Sequence, residues 1–195
     1  MATREEWKRI EEWSRKLLLM SDKQRLEFMK KVFELCENPL ERCVLALFYI
    51  YGLRPREALS LRKKNFNLRE NELAVVLPTA KGGRERILVL PLKTPFLDYI
   101  LEYLNYIEDE DQRLFEQWFS PTALNNILLN LERKFRAIYD KDICLSPYVF
   151  RKFRISWLLA KGASPQEVLI WKGGRSIKVV EEHYFYTKPL RKVIL

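Results

Sequence analysis

Residues 40–52, LERCVLALFYIYG, are apolar on nearly every side of a helix. A helix without a polar face has to run through the centre of a core, with other elements packed around it. Pro39 can open it in its first turn, and Gly52 ends it. Arg54 follows two residues later, so a central helix delivers this cation to a defined place. A second segment, SPYVFRKF at 146–153, does the same for Arg151. There Ser146-Pro147 opens a helix with Phe150, Phe153, Trp157 and Leu158 inward, and Gly162 ends it.

The other segments supply the surroundings. Residues 4–19 place Trp7, Ile10, Trp13 and Leu17 at helical spacing among alternating charges. Ser21-Asp22 caps a helix running to about Leu35, and Asn38-Pro39 breaks the chain after it. Pro55 can start a short helix, PREALSLR. Two strands are expected at 73–77 and 86–91, joined across TAKGGR, whose paired glycines suit a hairpin turn. A helix follows from about Phe96 to Ile107, then the acidic loop EDEDQ. Ser120-Pro121 opens a helix with Leu124, Ile127, Leu128, Leu131, Phe135 and Ile138 on one stripe. Ser164-Pro165 opens another, stopped by Gly173-Gly174, and a last helical stretch at 176–186 carries the tyrosines of EEHYFY. The expected class is α+β, mainly α, with one small antiparallel sheet. A chain of 195 residues is the size of one domain.

The net charge of +9 is unevenly spread. Residues 51–91 hold nine basic against four acidic residues, and residues 141–195 eleven against four. The excess therefore sits in the blocks that contain Arg54 and Arg151, and a polyanion such as DNA would be steered to a surface built from them. Cys36, Cys43 and Cys144 are scattered and lack metal-ligand spacing with His183, the single histidine. They read as buried thiols of a reducing cytoplasm. No apolar run approaches the ~20 residues of a membrane span, and the charged N-terminus lacks the apolar centre of a signal peptide.

Taken in order, these pieces resemble the catalytic domain of the tyrosine recombinase (phage integrase) family. Gly52-Leu53-Arg54 with Glu57 matches the family's glycine–hydrophobic–arginine step and the glutamate three residues on. Lys81-Gly82-Gly83-Arg84, then Arg86 and Pro91, matches its lysine hairpin. Pro147 to Lys152 stands where the family has a proline and a His-x-x-Arg-His motif, with Tyr148 in place of the first histidine. Gly162 and Ser164 match the next segment. Lys172-Gly173-Gly174-Arg175 and Tyr184 stand for the Leu-Gly-His step and the tyrosine about nine residues beyond it. The resemblance runs over roughly residues 20–187, which makes 1–20 an N-terminal helix or linker and 21–195 the catalytic domain.

The resemblance implies a fold and a chemistry. Tyr184 would attack the scissile phosphate, form a 3′-phosphotyrosyl link and free a 5′-hydroxyl. A partner strand's 5′-hydroxyl would then reverse the step, giving integrase-type site-specific recombination of double-stranded DNA. Arg54 and Arg151 would each offer two parallel N–H donors to the phosphorane oxygens. Lys81 would protonate the leaving oxygen, because a lysine can give a proton and an arginine cannot. Tyr148 can donate a hydrogen bond to a phosphate, but its ordinary pKa of ~10 keeps it from the histidine's proton traffic. The last histidine position falls on Gly174 or Arg175 depending on the direction of counting, and Arg175 is favoured as a third cation. Tyr186 competes with Tyr184 as the nucleophile. Arg84, Arg86, Lys152 and Arg154 are the expected DNA contacts.

No cofactor and no metal are implied, since the arginines supply the positive charge. The expected setting is a homo-oligomer on DNA, a tetrameric synapse, in the cytoplasm of a prokaryotic cell or a virus's host, with no membrane role. Family members usually carry a helical DNA-clamping domain first. The short stretch before the resemblance here suggests an excised catalytic fragment or a minimal protein. The tail FYTKPLRKVIL would dock on a neighbouring protomer or pack on its own domain. Two other readings compete: a DNA-binding relative with weakened cleavage, for which Tyr148 and the altered Leu-Gly-His step speak, and a type IB topoisomerase, which normally has larger clamping elements.

Overall fold

Helix ends in this chain are marked by short polar side chains that accept from the first exposed N–H groups, and the architecture follows those marks. A computed structural model describes residues 3–78, 85–116 and 119–174. Thr3 caps α1 (Arg4–Leu19) and Ser21 caps α2 (Asp22–Phe33), each with a Glu or Gln three residues on that returns the bond. Asn38 caps α3 (Pro39–Ala46), whose last turn widens into a π-helix over Leu47–Tyr51. Gly52 then reverses the chain at φ +63°. α4 (Pro55–Ser60) follows at once. Three antiparallel strands come next in the order β1 (Phe66–Leu68), β2 (Glu72–Leu77) and β3 (Arg86–Pro91). Phe66 lies opposite Val75, and Val75 opposite Leu88.

α5 (Asp98–Leu104), α6 (Pro121–Tyr139), α7 (Pro147–Ala160) and α8 (Pro165–Lys172) complete the described chain. Ser120, Ser146 and Ser164 cap the last three. The segment expected to be central is so: Cys43 to Phe48, Ile50 and Tyr51 are all buried. α3 packs on α5, and its π-helical end packs on α7. The large rings meet around it, with Tyr49 stacked on Phe153 at 5.8 Å and edge-on to Phe150 at the same distance.

Several details differ from the reading of the sequence. β1 was not expected; three residues are too few to show an alternation. The helix expected from Phe96 starts two residues later, because Phe96 itself has a left-handed backbone at φ 68°. Ile138 was placed on the buried stripe of α6, yet it is exposed. The fully buried stripe stops at Phe135; in the last turn Tyr139, its ring 4.6 Å from that of Phe135, packs against the core and Ile138 faces out.

α1 docks on α7. Arg9 donates to the Ile143 carbonyl at 2.5 Å and pairs with Glu132 of α6, while Lys152 of α7 pairs with Glu11 at 2.6 Å. All three cysteines are buried free thiols; burial pushes Cys36 up to about 12 and Cys144 up to about 11. Among the described residues, no helix is long and apolar enough to cross a membrane.

Candidate active site

The site is built where three segments meet: the turn after the central helix, the second turn of α7 and the last turn of α8. Arg54 occupies the cap position of α4 in extended backbone, and Pro55 fills the first helical position. Its backbone N–H donates to Glu57 Oε2 at 2.8 Å, and its own Nη1 donates to Glu57 Oε1 at 2.8 Å. The carboxylate is therefore fixed in the first turn, where the helix N-terminus favours negative charge.

Glu57 is buried, and two further guanidiniums reach it. Arg86 Nη2 lies 3.0 Å from Oε1, and Arg151 Nη1 lies 3.7 Å from Oε2. Burial pushes this carboxyl up. The charges of Arg151 and Arg86, then the N–H and charge of Arg54, together outweigh it and hold the group below the ordinary glutamate value.

The other anchor is the C-terminal end of α8, whose last carbonyls lack helical partners and carry the negative end of the helix dipole. Arg86 Nε donates to the Trp171 carbonyl at 3.1 Å. The Lys172 carbonyl accepts from Arg151 Nη2 at 2.5 Å and from Arg54 Nη1 at 3.4 Å. Arg151 Nη1 also donates to the Gly52 carbonyl at 2.8 Å. Gly173 ends α8 at φ +65°, and a Cβ there would stand 2.5 Å from Arg86 Nη1. The Lys172 side chain is pushed below its ordinary pKa by burial, then by the charges of Arg151 and Arg54. Three guanidiniums around one carboxylate leave a surplus of positive charge, which is what a phosphate diester needs.

The sequence-derived residues are distributed as follows. Arg54 and Arg151 are brought together, with the Arg54 side chain 42% exposed and that of Arg151 7%. Tyr148 opens on the surface three residues before Arg151, its ring 5.5 Å from Trp7 of α1. Lys81, Arg84, Arg175, Tyr184 and its competitor Tyr186 lie outside the described residues, as do the hairpin turn and the helical stretch 176–186.

Three of the residues expected to contact DNA have partners within the protein. Arg86 is buried against Glu57 and supports the site from behind. Strand alternation shows why: Arg86, Leu88 and Leu90 face inward while Ile87 and Val89 face out. Arg154 is buried between the rings of Trp157 and Trp171, at 4.6 and 5.3 Å. Lys152 is turned to α1, where Glu11 meets it.

Arg86, Lys172 and Gly173 were not singled out as parts of the arginine scaffold from the sequence. The inward phase of Arg86 with Leu88 and Leu90 was a readable signal. Gly173 was read as a helix stop and as part of the segment standing for the Leu-Gly-His step, not as a close neighbour of Arg86.

The phage integrase family model matches residues 19–189 of the chain. The tyrosine recombinase XerC of Rickettsia prowazekii is 30% identical over 147 residues, covering 73% of this chain and 46% of that protein. The TnP I resolvase of Bacillus thuringiensis is 25% identical over 166 residues, covering 84% of this chain and 54% of its own length. The chain thus spans about half the length of the curated relatives it matches. Among solved structures, the XerH site-specific recombinase bound to palindromic difH substrate superposes with a TM-score of 0.59 at 17% identity, over 98% of this chain and 50% of that one. The Tn1549 transposon integrase in complex with a circular intermediate DNA gives 0.63 at 13% identity, over 89% and 63%. At such identities the likeness is one of fold.

Proposed function

The chain belongs to the phage integrase family, and from that premise we propose that it cuts and rejoins DNA at specific sites through a tyrosine nucleophile. The observation that carries the proposal is the shared anchoring of Arg54 and Arg151 on Glu57 and on the Lys172 carbonyl. Two guanidiniums held by one carboxylate and one helix end keep a fixed separation, and a phosphorane with charge on its non-bridging oxygens is the species that benefits.

The Tyr184 oxygen attacks phosphorus and its proton passes to solvent water. The bond from phosphorus to the 5′-oxygen breaks, and that oxygen takes a proton from Lys81. The energy of the phosphodiester is kept in the tyrosyl link, so a second 5′-hydroxyl can attack it without an external energy source. Arg175 adds a third cation at the phosphate, and Arg84 contacts the DNA backbone from the hairpin. Tyr148 donates a hydrogen bond to a phosphate oxygen from the exposed start of α7. The names of the structural neighbours, a recombinase on its difH substrate and an integrase with a circular DNA, support duplex DNA as the partner. Action as a tetramer on DNA and a cytoplasmic location complete the reading.

Nicked suicide duplexes carrying randomised sites, resolved by denaturing electrophoresis, test it. A covalent protein–DNA adduct is expected, lost in Tyr184→Phe and in Arg151→Ala and kept in Tyr186→Phe. Loss in Tyr186→Phe instead moves the nucleophile. Retarded but uncleaved DNA for the wild type overturns strand transfer and leaves a DNA-binding protein.

A further inference from the structure

Between α2, the end of β3 and α7 lies a cavity of about 820 Å³, within the range of small-molecule sites. Its walls are mainly apolar, with Leu26, Ile50, Phe153 and Leu158 among them and the rings of Trp157 and Trp171 as broad plates. Two arginines also line it, and they differ. Arg25 is fully engaged: it donates to the carbonyls of Leu17 and Met20 and pairs with Asp22. Arg154 touches the two tryptophan faces, and among the described residues no carboxylate or carbonyl receives its N–H groups.

An arginine that is 9% exposed and has no acceptor among the described residues is unusual, because burying a charge without a counter-ion is costly. The ring faces offset part of this cost. They offer no hydrogen-bond acceptor, and Arg154 Nε stays unsatisfied, as does Trp157 Nε1 beside it. These two are donors; the other buried side-chain groups without a partner among the described residues, the Tyr51 and Ser156 hydroxyls, are neutral. Burial depresses the Arg154 guanidinium to about 10; Tyr49 and Tyr51 act against the fall and Arg25 adds to it. Lys23 and Lys93 also line the space, and its one acid, Asp22, is already paired with Arg25 and Lys161. The missing component is an acceptor with negative charge and an apolar body.

We propose that this cavity is a binding site for a small amphipathic carboxylate, its apolar or aromatic body against the walls formed by Leu26, Phe153 and Leu158 and its carboxylate on Arg154. Apart from the engaged Arg25, Arg154 is the buried cation among these apolar walls, while Lys23 and Lys93 are exposed, and one buried cation matches one negative charge. A polyanion would need more donors and an open surface. The site is separate from the phosphate chemistry and does not depend on it, although Trp171 belongs to both: its indole N–H donates to the Tyr51 carbonyl at 2.9 Å and its own carbonyl holds Arg86.

Calorimetric titration of the whole chain with naphthoate, and with the neutral isostere naphthamide, tests the proposal. Naphthoate is expected to bind one molecule per chain, about tenfold or more tighter than naphthamide, as a hydrogen-bonded charge pair gives. Arg154→Met should bring naphthoate down to the naphthamide affinity while leaving the amide's unchanged. Equal affinities for the wild type, no binding of either compound, or discrimination intact in Arg154→Met overturns it. If Arg154→Met does not fold, Leu158→Trp decides, because it narrows the cavity and keeps the guanidinium. Loss of naphthoate binding there supports the site, and unchanged binding overturns it.

Discussion

Arg54 and Glu57 hold each other at two points: the arginine's backbone N–H and its Nη1 each donate at 2.8 Å, one to each carboxylate oxygen. A capping interaction three residues long thereby becomes the base for the whole site. The same two oxygens receive Arg86 and Arg151 from distant parts of the chain.

Replacing Glu57 by Gln keeps the shape and removes the charge. Arg86 and Arg151 are both buried, and each would lose the negative charge of Glu57. Breaking a buried pair from one side costs on the order of 3 kcal/mol. Urea unfolding of Glu57→Gln is expected to show that loss with an unchanged slope. Adduct formation should fall further than stability alone explains, by about a hundredfold, since misplacement of a catalytic group by ~1 Å costs that much.

Gly52 carries the turn that links the core helix to Arg54. At φ +63° a side chain is strained, and a Cβ would meet the Arg151 Cα and the Arg154 Cβ, both at 3.2 Å. Gly162, at φ +97° with open space around it, carries backbone strain alone. Gly52→Ala is expected to cost about 2 kcal/mol or more, because left-handed backbone costs ~1–2 kcal/mol and the contact adds to it. Gly162→Ala should cost less. Equal losses in thermal unfolding would show that the close approach to α7 carries no weight.

Local signals in the sequence found the ends of nearly every described helix, since Ser21, Asn38, Ser120, Ser146 and Ser164 act over three residues. The two arginines were found because each lies beside an apolar run that fixes its backbone. The enclosed positions of Arg86 and Arg154 were not foreseen. The inward strand phase of Arg86 was legible, but the distant partners that enclose both cations were not. For Arg86 that partner is Glu57, 29 positions earlier; for Arg154 the enclosing ring of Trp171 comes from another helix. The π-helical turn before Gly52 was hidden because five apolar residues in a row look the same in either helix.

Gly173 is required by Arg86. A Cβ 2.5 Å from Nη1 and 2.8 Å from Cζ would push the guanidinium off Glu57. Gly173→Ala should therefore be destabilising in the wild type and less so when Arg86 is already Ala. The expected coupling in this double-mutant cycle is about 1 kcal/mol or more, within the span seen for residues in contact. Additive losses, measured by urea unfolding of the four proteins, would mean that only the positive φ of Gly173 matters.

Glu57 also sets an acid limit for the site. Its folded carboxyl lies below the ordinary 4.5 of a glutamate, so the charged form is the one that folding favours. A group shifted this way binds fewer protons in the folded state than in the unfolded state around pH 4, and stability there rises with pH. Its contribution is thus complete above the unfolded value and disappears as pH falls through the folded one. The stability difference between wild type and Glu57→Gln should be flat from pH 7 down to about 5 and shrink progressively below the ordinary glutamate range. Urea midpoints of both proteins, taken at intervals from pH 7 to pH 3, check this. A difference that stays constant to pH 3 would mean that the charge of Glu57 does not hold the three arginines.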